Sequence, residues 1–119
     1  MKKVLVVDDS PMMRKLIGKL VRTKGCDVIE ASNYDEATQQ FEKHFPDIVM
    51  LDIIMDTQRS GLELLKKFKD ESPGTKVIMV TSISDQHEVI KESVYSGADD
   101  YISKPFKSEE LLNSVDRFL

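Results

Sequence analysis

Residues 3–25 read KVLVVDDSPMMRKLIGKLVRTKG, and this stretch decides the fold. Lys3–Val7 is a short run rich in β-branched residues, which suit a pleated strand. Its apolar residues do not alternate with polar ones, so the strand is predicted to be covered on both faces. Ser10-Pro11 then supplies an N-cap and a proline at the first helical position. Met13, Leu16, Ile17, Leu20 and Val21 follow at three- and four-residue spacing. That spacing predicts a helix running to about Lys24, with Gly25 ending it. A buried strand, an acidic end and an amphipathic helix form the unit from which parallel α/β sheets are assembled.

The unit repeats along the chain. Asp27–Ala31 is a second strand, and Asn33 with Glu36 three residues later resembles a capping box for a helix reaching about His44, before Pro46. Ile48–Leu51 is a third strand, apolar on both faces. Gly61–Glu71 is a helix with Leu62, Leu65 and Phe68 on one stripe, closed by Ser72-Pro73-Gly74. Lys76–Val80 is a fourth strand; Ser84 caps a helix through Ser96, with Gly97 as its C-terminal glycine. Asp100–Ile102 is a short fifth strand, and Ser108–Leu119 a final helix. With right-handed crossovers, the arrangement that fits best is an α/β fold of the flavodoxin-like (βα)5 kind. Its doubly wound parallel five-stranded sheet would have the order 2-1-3-4-5, in one domain spanning residues 1–119.

Composition narrows the function. Seventeen basic against twenty-one acidic residues give a net charge of -4, and no Lys/Arg run is present. Such a chain is a poor nucleic-acid or anionic-membrane binder. The single Cys26 cannot form an internal disulfide, which points to a reducing compartment. Lys2-Lys3 ahead of Val4–Val7 imitates a signal peptide, but the apolar run stops too soon at Asp8-Asp9. The expected location is cytoplasmic.

In open parallel sheets, ligands bind beyond the carboxyl ends of the strands, where the strand order reverses. Strand one ends in Asp8-Asp9, strand three in Asp52, strand four in Thr81-Ser82, and strand five is followed by Lys104-Pro105. Two carboxylates about 5 Å apart repel by roughly 3 kcal/mol at an effective dielectric near 20. Three converging carboxylates therefore call for a cation, and oxygen-only ligands favour Mg²⁺ over zinc or copper. A carboxylate beside Mg²⁺, a lysine and a hydroxyl is equipment for taking up a phosphoryl group. Taken singly, each residue has a plainer explanation: acids before a helix favour its dipole, and threonine is an ordinary strand former. Their joint occurrence at four strand ends is what points to chemistry.

The chain resembles the CheY-like receiver domain of two-component response regulators, in its stand-alone, single-domain form. The resemblance is carried by Val4–Ser10, by Asp47–Met55, by Val80-Thr81-Ser82 and by Gly97–Phe106, in the family's order. It implies that Asp52 is the phosphoacceptor. It also implies that Asp8, Asp9, Asp52 and the backbone carbonyl of Ile54 hold Mg²⁺, for which Mn²⁺ could substitute. Thr81 and Ser82 would meet the phosphoryl group, Lys104 would pair with it, and Tyr101 would move inward with Thr81. The readout face would be the fourth helix, the fifth strand and the fifth helix. The implied partners are a histidine kinase or histidine phosphotransfer domain as donor and a downstream target protein, of chemotaxis type; the chain itself would be monomeric. Such a protein is a phosphoacceptor rather than an enzyme, beyond its own phosphorylation and dephosphorylation. In the family, side chains two positions after the phosphoacceptor and two after the switch threonine flank the path of the hydrolytic water. Here they are Ile54 and Ile83, which implies a long-lived phosphorylated form.

One loop departs from the family pattern. Asp56 replaces the proline after Met55, and Thr57-Gln58-Arg59-Ser60 makes the segment before Gly61 one residue longer. A tolerated surface insertion is the preferred reading; the sharper one is that Asp56 adds negative charge near the metal or recognises a particular partner. Three rivals remain open: a phosphorelay intermediate that returns phosphate to a histidine, a receiver cut from a longer transcription factor, and a flavodoxin-like small-molecule binder or hydrolase. Because nothing follows Leu119, no output domain is expected. The hydrolase leaves the strand-end carboxylates and Lys104 unexplained.

Overall fold

The computed structural model describes residues 1–53, 60–82 and 96–119, with the backbone alone at Ser60 and Thr81. The predicted helix at Ser84–Ser96, apart from Ser96 itself, lies outside the described residues, as do Ile83 and the segment from Ile54 to Arg59. Five strands run in chain order as β1 (Lys3–Val7), β2 (Asp27–Ala31), β3 (Ile48–Asp52), β4 (Lys76–Ser82) and β5 (Asp100–Lys104). They form one parallel sheet in the order β2-β1-β3-β4-β5, as the flavodoxin-like reading requires. The described helices are α1 (Pro11–Arg22), α2 (Tyr34–His44), α3 (Ser60–Glu71) and α4 (Ser108–Asp116), the last being the final helix of the chain.

Successive side chains of a strand point to opposite faces, and here both faces are covered. Leu5, Val7, Val49, Leu51, Val77 and Met79 pack with Phe41 of α2 and with Leu62, Leu65 and Phe68 of α3. Val4, Val6, Ile48, Met50, Ile78 and Val80 pack on the other face with Ile17 and Val21 of α1 and with Leu111 and Val115 of α4. The absence of alternation in the strand sequences thus has a direct cause: there is no solvent face in the centre of the sheet.

Local signals act as their chemistry dictates, with small displacements. The Met13 backbone N–H donates to Ser10 Oγ at 3.2 Å, which caps α1. Gly25 takes φ +78° and accepts the turn after α1, although the helix ends at Arg22 rather than Lys24. The capping box at α2 is displaced by one residue. Glu36 N–H donates to Asn33 Oδ1 at 2.8 Å, but the Glu36 carboxylate accepts from the Ser32 N–H at 2.7 Å and from its hydroxyl, not from Asn33. Those two bonds hold the exposed Glu36 carboxyl below its ordinary pKa. The final helix closes at Asp116, short of Leu119.

Three strands are longer than the apolar runs suggest. β3 includes Asp52, β4 includes Thr81-Ser82, and β5 continues to Lys104. Cross-strand pairing decides this: Asp52 pairs with Val80, Thr81 with Ser103 and Ser82 with Lys104. The polar residues are therefore the last rungs of the ladder rather than the first residues of loops.

Candidate functional site

The three aspartates meet at the carboxyl edge of the sheet. β1 and β3 are neighbours, with Val7 opposite Leu51, so Asp8 and Asp52 leave the sheet side by side. One carboxylate oxygen from each of Asp8, Asp9 and Asp52 lies within 4.8 Å of the others. Asp8 is 1% exposed and Asp52 8%, while Asp9 faces solvent. Asp8 is tightly held. Its N–H donates to the Ala31 carbonyl at 3.1 Å, and its Oδ1 accepts from the Ser10 N–H at 2.9 Å.

Lys104 comes to this cluster from the far edge of the sheet. Its ammonium donates to Asp8 Oδ2 at 2.9 Å and lies 3.4 Å from Asp52 Oδ2. Burial alone would lower the Lys104 pKa. The hydrogen bond to Asp8 and the charges of Asp52 and Asp8 outweigh it, so the group stays above its ordinary value and is charged at neutral pH. The Lys104-Pro105 peptide is cis. Ser82 ends β4 beside Lys104, half-buried. Tyr101 lies on β5, half-buried against the α2–α3 side of the core, and its N–H donates to Asp100 Oδ1 at 2.8 Å. The Thr81 side chain, Ile54 and its carbonyl, and Ile83 are outside the described residues, as is Asp56.

The donor set fits a hard divalent cation. It consists of carboxylate oxygens, converging within one ion's reach, with no thiol or imidazole beside them among the described residues. Such ligands suit Mg²⁺ and Mn²⁺, whereas zinc and copper favour nitrogen and sulfur. Cys26, the one thiol, is buried in the α1–α4 layer of the core, and burial pushes its pKa up.

One residue at the site, Arg14, escapes a reading of the sequence, and the packing of Gly61 is decided by the fold. Arg14 of α1 donates from Nη1 to the Asp8 carbonyl at 2.7 Å and from Nε to Glu30 at 3.2 Å. A glutamate within the otherwise apolar run of β2 was the available signal. Gly61 packs directly on the end of β3, where a Cβ would come within 2.2 Å of the Asp52 carbonyl oxygen. Its N–H donates to the Ile53 carbonyl at 2.9 Å, which ties the first turn of α3 to the end of β3.

Fold and rim together define an α/β domain with a divalent-cation-compatible acidic site at its topological switch point. The chain belongs to the response regulator receiver domain family, whose model matches residues 4–116. It is similar to chemotaxis protein CheY of Halobacterium salinarum, with 39% identity over 114 residues, covering 96% of this chain and 93% of that protein. Chemotaxis protein CheY of Listeria monocytogenes is 36% identical over 118 residues, 98% of each chain. Among solved structures, a CheY-like response regulator receiver domain protein from Methanospirillum hungatei matches with a TM-score of 0.91. Its identity is 31%, over 98% of this chain and 92% of that one. Receiver domains are the phosphoaccepting switches of two-component systems and bind Mg²⁺ at an acidic pocket.

Proposed function

We propose that Asp52 is the phosphoacceptor of a switch spanning residues 1–119, loaded from a phosphohistidine and read by a downstream protein. The observation that carries this is the convergence of Asp8, Asp9 and Asp52 within 4.8 Å, with the Lys104 ammonium against two of them. Asp8, Asp9, Asp52 and the Ile54 backbone carbonyl would hold Mg²⁺, which when bound neutralises the charge that builds on the transferred group. An Asp52 carboxylate oxygen forms the new bond to phosphorus as the bond from phosphorus to the donor imidazole nitrogen breaks. The imidazole leaves with that electron pair. Lys104, already charged and beside Asp52, pairs with the arriving phosphoryl oxygens. Thr81 and Ser82, at the end of β4, donate hydroxyl hydrogen bonds to them. Tyr101 then follows Thr81 and changes the face built from the predicted helix at Ser84–Ser96, β5 and α4. That is a local charge event biasing a two-state equilibrium.

The donor's approach is supported by α1, which starts directly after the acidic turn. Met12 is 81% exposed and Leu16 44%, one turn apart on its outer face, beside Lys15 and Lys19. The named relatives favour a chemotaxis-type target, and the single Cys26 favours a reducing, cytoplasmic setting. No described helix is long and apolar enough to cross a membrane.

The test is labelling by acetyl phosphate with Mg²⁺, comparing wild type with Asp52→Asn by intact mass. Wild type alone should gain one phosphoryl group, and none when the metal is chelated. Equal labelling of both proteins overturns the assignment. Capture of a target only in the presence of beryllofluoride then identifies the pathway.

A further inference from the structure

Asp8 and Asp9 are consecutive, and this creates a geometric problem. In a continuing strand their side chains would point to opposite faces of the sheet. Yet both carboxylates lie within 4.8 Å of the Asp52 oxygen. The chain must therefore turn at the Asp8–Asp9 peptide, and the orientation of that peptide sets where Asp9 points. The carbonyl of this peptide belongs to Asp8, which is 1% exposed.

We infer that Arg14 is a positioning residue, holding the Asp8–Asp9 peptide in the orientation that turns both carboxylates toward Asp52. Its Nη1 donates to the Asp8 carbonyl at 2.7 Å, while its Nε donates to Glu30 Oε1 at 3.2 Å. Glu30 and Ala31 are successive residues of β2, and Ala31 accepts the Asp8 N–H at 3.1 Å. Both polar groups of Asp8's backbone are thus referred to the same strand, one directly and one through the guanidinium. The Arg14 N–H also donates to the Ser10 carbonyl at 3.0 Å, so the arginine is fixed on the first turn of the helix that leaves the site. The planar fork reaches the carbonyl and the carboxylate from two separate nitrogens in fixed geometry; a lysine would have to reach both from one nitrogen on a flexible stem. Arg14 is mostly covered, so the bond to the carbonyl is screened from water rather than traded for it.

The inference rests on the proposed reading that Asp8 and Asp9 hold Mg²⁺. Its test uses the whole chain and Mg²⁺ alone, by isothermal titration calorimetry. Removing a cation near a metal would by itself tighten binding, so the informative variant is Arg14→Gln with Glu30→Gln, which leaves the local net charge unchanged. Loss of support behind metal ligands commonly costs about 10–100-fold in affinity, and a weakening of at least about tenfold is expected here. The Mg²⁺ concentration giving half-maximal labelling by acetyl phosphate should rise by the same factor, with the maximal rate retained at saturating metal. A merely structural role would lower urea stability without moving that concentration. Binding within about threefold of wild type overturns the inference, since that is below the usual effect of lost ligand support. If the double variant does not fold, Arg14→Lys decides in the same assay: weakened binding supports the role, and unchanged binding overturns it. Failure of wild type itself to bind Mg²⁺ removes the metal reading and this inference together. Wild-type binding with an unaffected variant removes the inference alone.

Discussion

At the acidic rim Lys104 supplies positive charge before any metal arrives. Its ammonium sits against Asp8 and Asp52, both nearly covered. In Lys104→Ala those carboxylates lose their internal counter-charge, and a bound metal no longer faces a neighbouring cation. Mg²⁺ binding should be retained or tightened, and the melting temperature should become more dependent on Mg²⁺ than in wild type. Phosphorylation of this variant should no longer raise its affinity for the target; a normal response would contradict the role given to Lys104. The expected phosphoryl lifetime turns on other residues. Hydrolysis needs a water held in line with the bond to the leaving carboxylate. If Ile54 and Ile83 flank that water's path, as the family resemblance implies, their apolar side chains cannot orient it by hydrogen bonding. Replacing them with Asn and Glu should accelerate phosphate release from the loaded protein, and equal or slower release would refute this. The aspartates and the lysine that the structure brings together were legible in the sequence because each stands at the end of a predicted strand or just beyond it. Arg14 was not, since an arginine on a helix looks the same whether it meets water or a backbone carbonyl.

Among the elements, α2 has an uncommon ending. Phe45 caps it at φ +46°, in the left-handed region, with its N–H donating to the Phe41 carbonyl at 2.9 Å. An L side chain there costs roughly 1–2 kcal/mol, while glycine adopts it freely. The Phe45 ring is 72% exposed, so little burial is lost on removing it. Phe45→Gly should therefore raise stability by about 1 kcal/mol, read as a higher urea midpoint at unchanged slope. Phe45→Ala keeps the Cβ and should show no such gain. Gly25, at φ +78° after α1, is the same solution with the residue that suits it. Sequence signals located both helix ends within two residues. The partner of Glu36 was missed because Ser32 and Asn33 are both good acceptor-side caps, and the backbone path between them selects which amide the carboxylate reaches.

The whole molecule is two apolar layers on one sheet. In the α2–α3 layer Phe41 and Phe68 stack with ring centroids 4.1 Å apart and planes inclined by 11°. Both are fully covered, and they join the two helices on the face of the sheet behind the strands that carry Asp8 and Asp52. Phe68→Ala should cost about 3–5 kcal/mol, a large fraction of a small domain's stability. Chemical denaturation should show it, and Phe68→Leu should lose less. Because the cavity lies beneath the rim rather than in it, Mg²⁺ binding by the folded fraction should be nearly unchanged.

What the sequence by itself determined was local. Apolar runs without alternation specify buried strands, three- and four-residue spacing specifies helices, and acids placed after such runs specify which end of the sheet is polar. These are properties of neighbouring residues, and periodicity records them. Tertiary structure alone decided the distances. The order of strands sets Val7 opposite Leu51, and so Asp8 beside Asp52. It also brings Lys104 to Asp8 across 96 positions of chain, and Arg14 to the one peptide that must turn. Such contacts depend on register, on the crossing of separate layers and on the reach of long side chains. None of these leaves a periodic trace in the sequence, which is why the residues of the rim could be named in advance while the bonds between them could not.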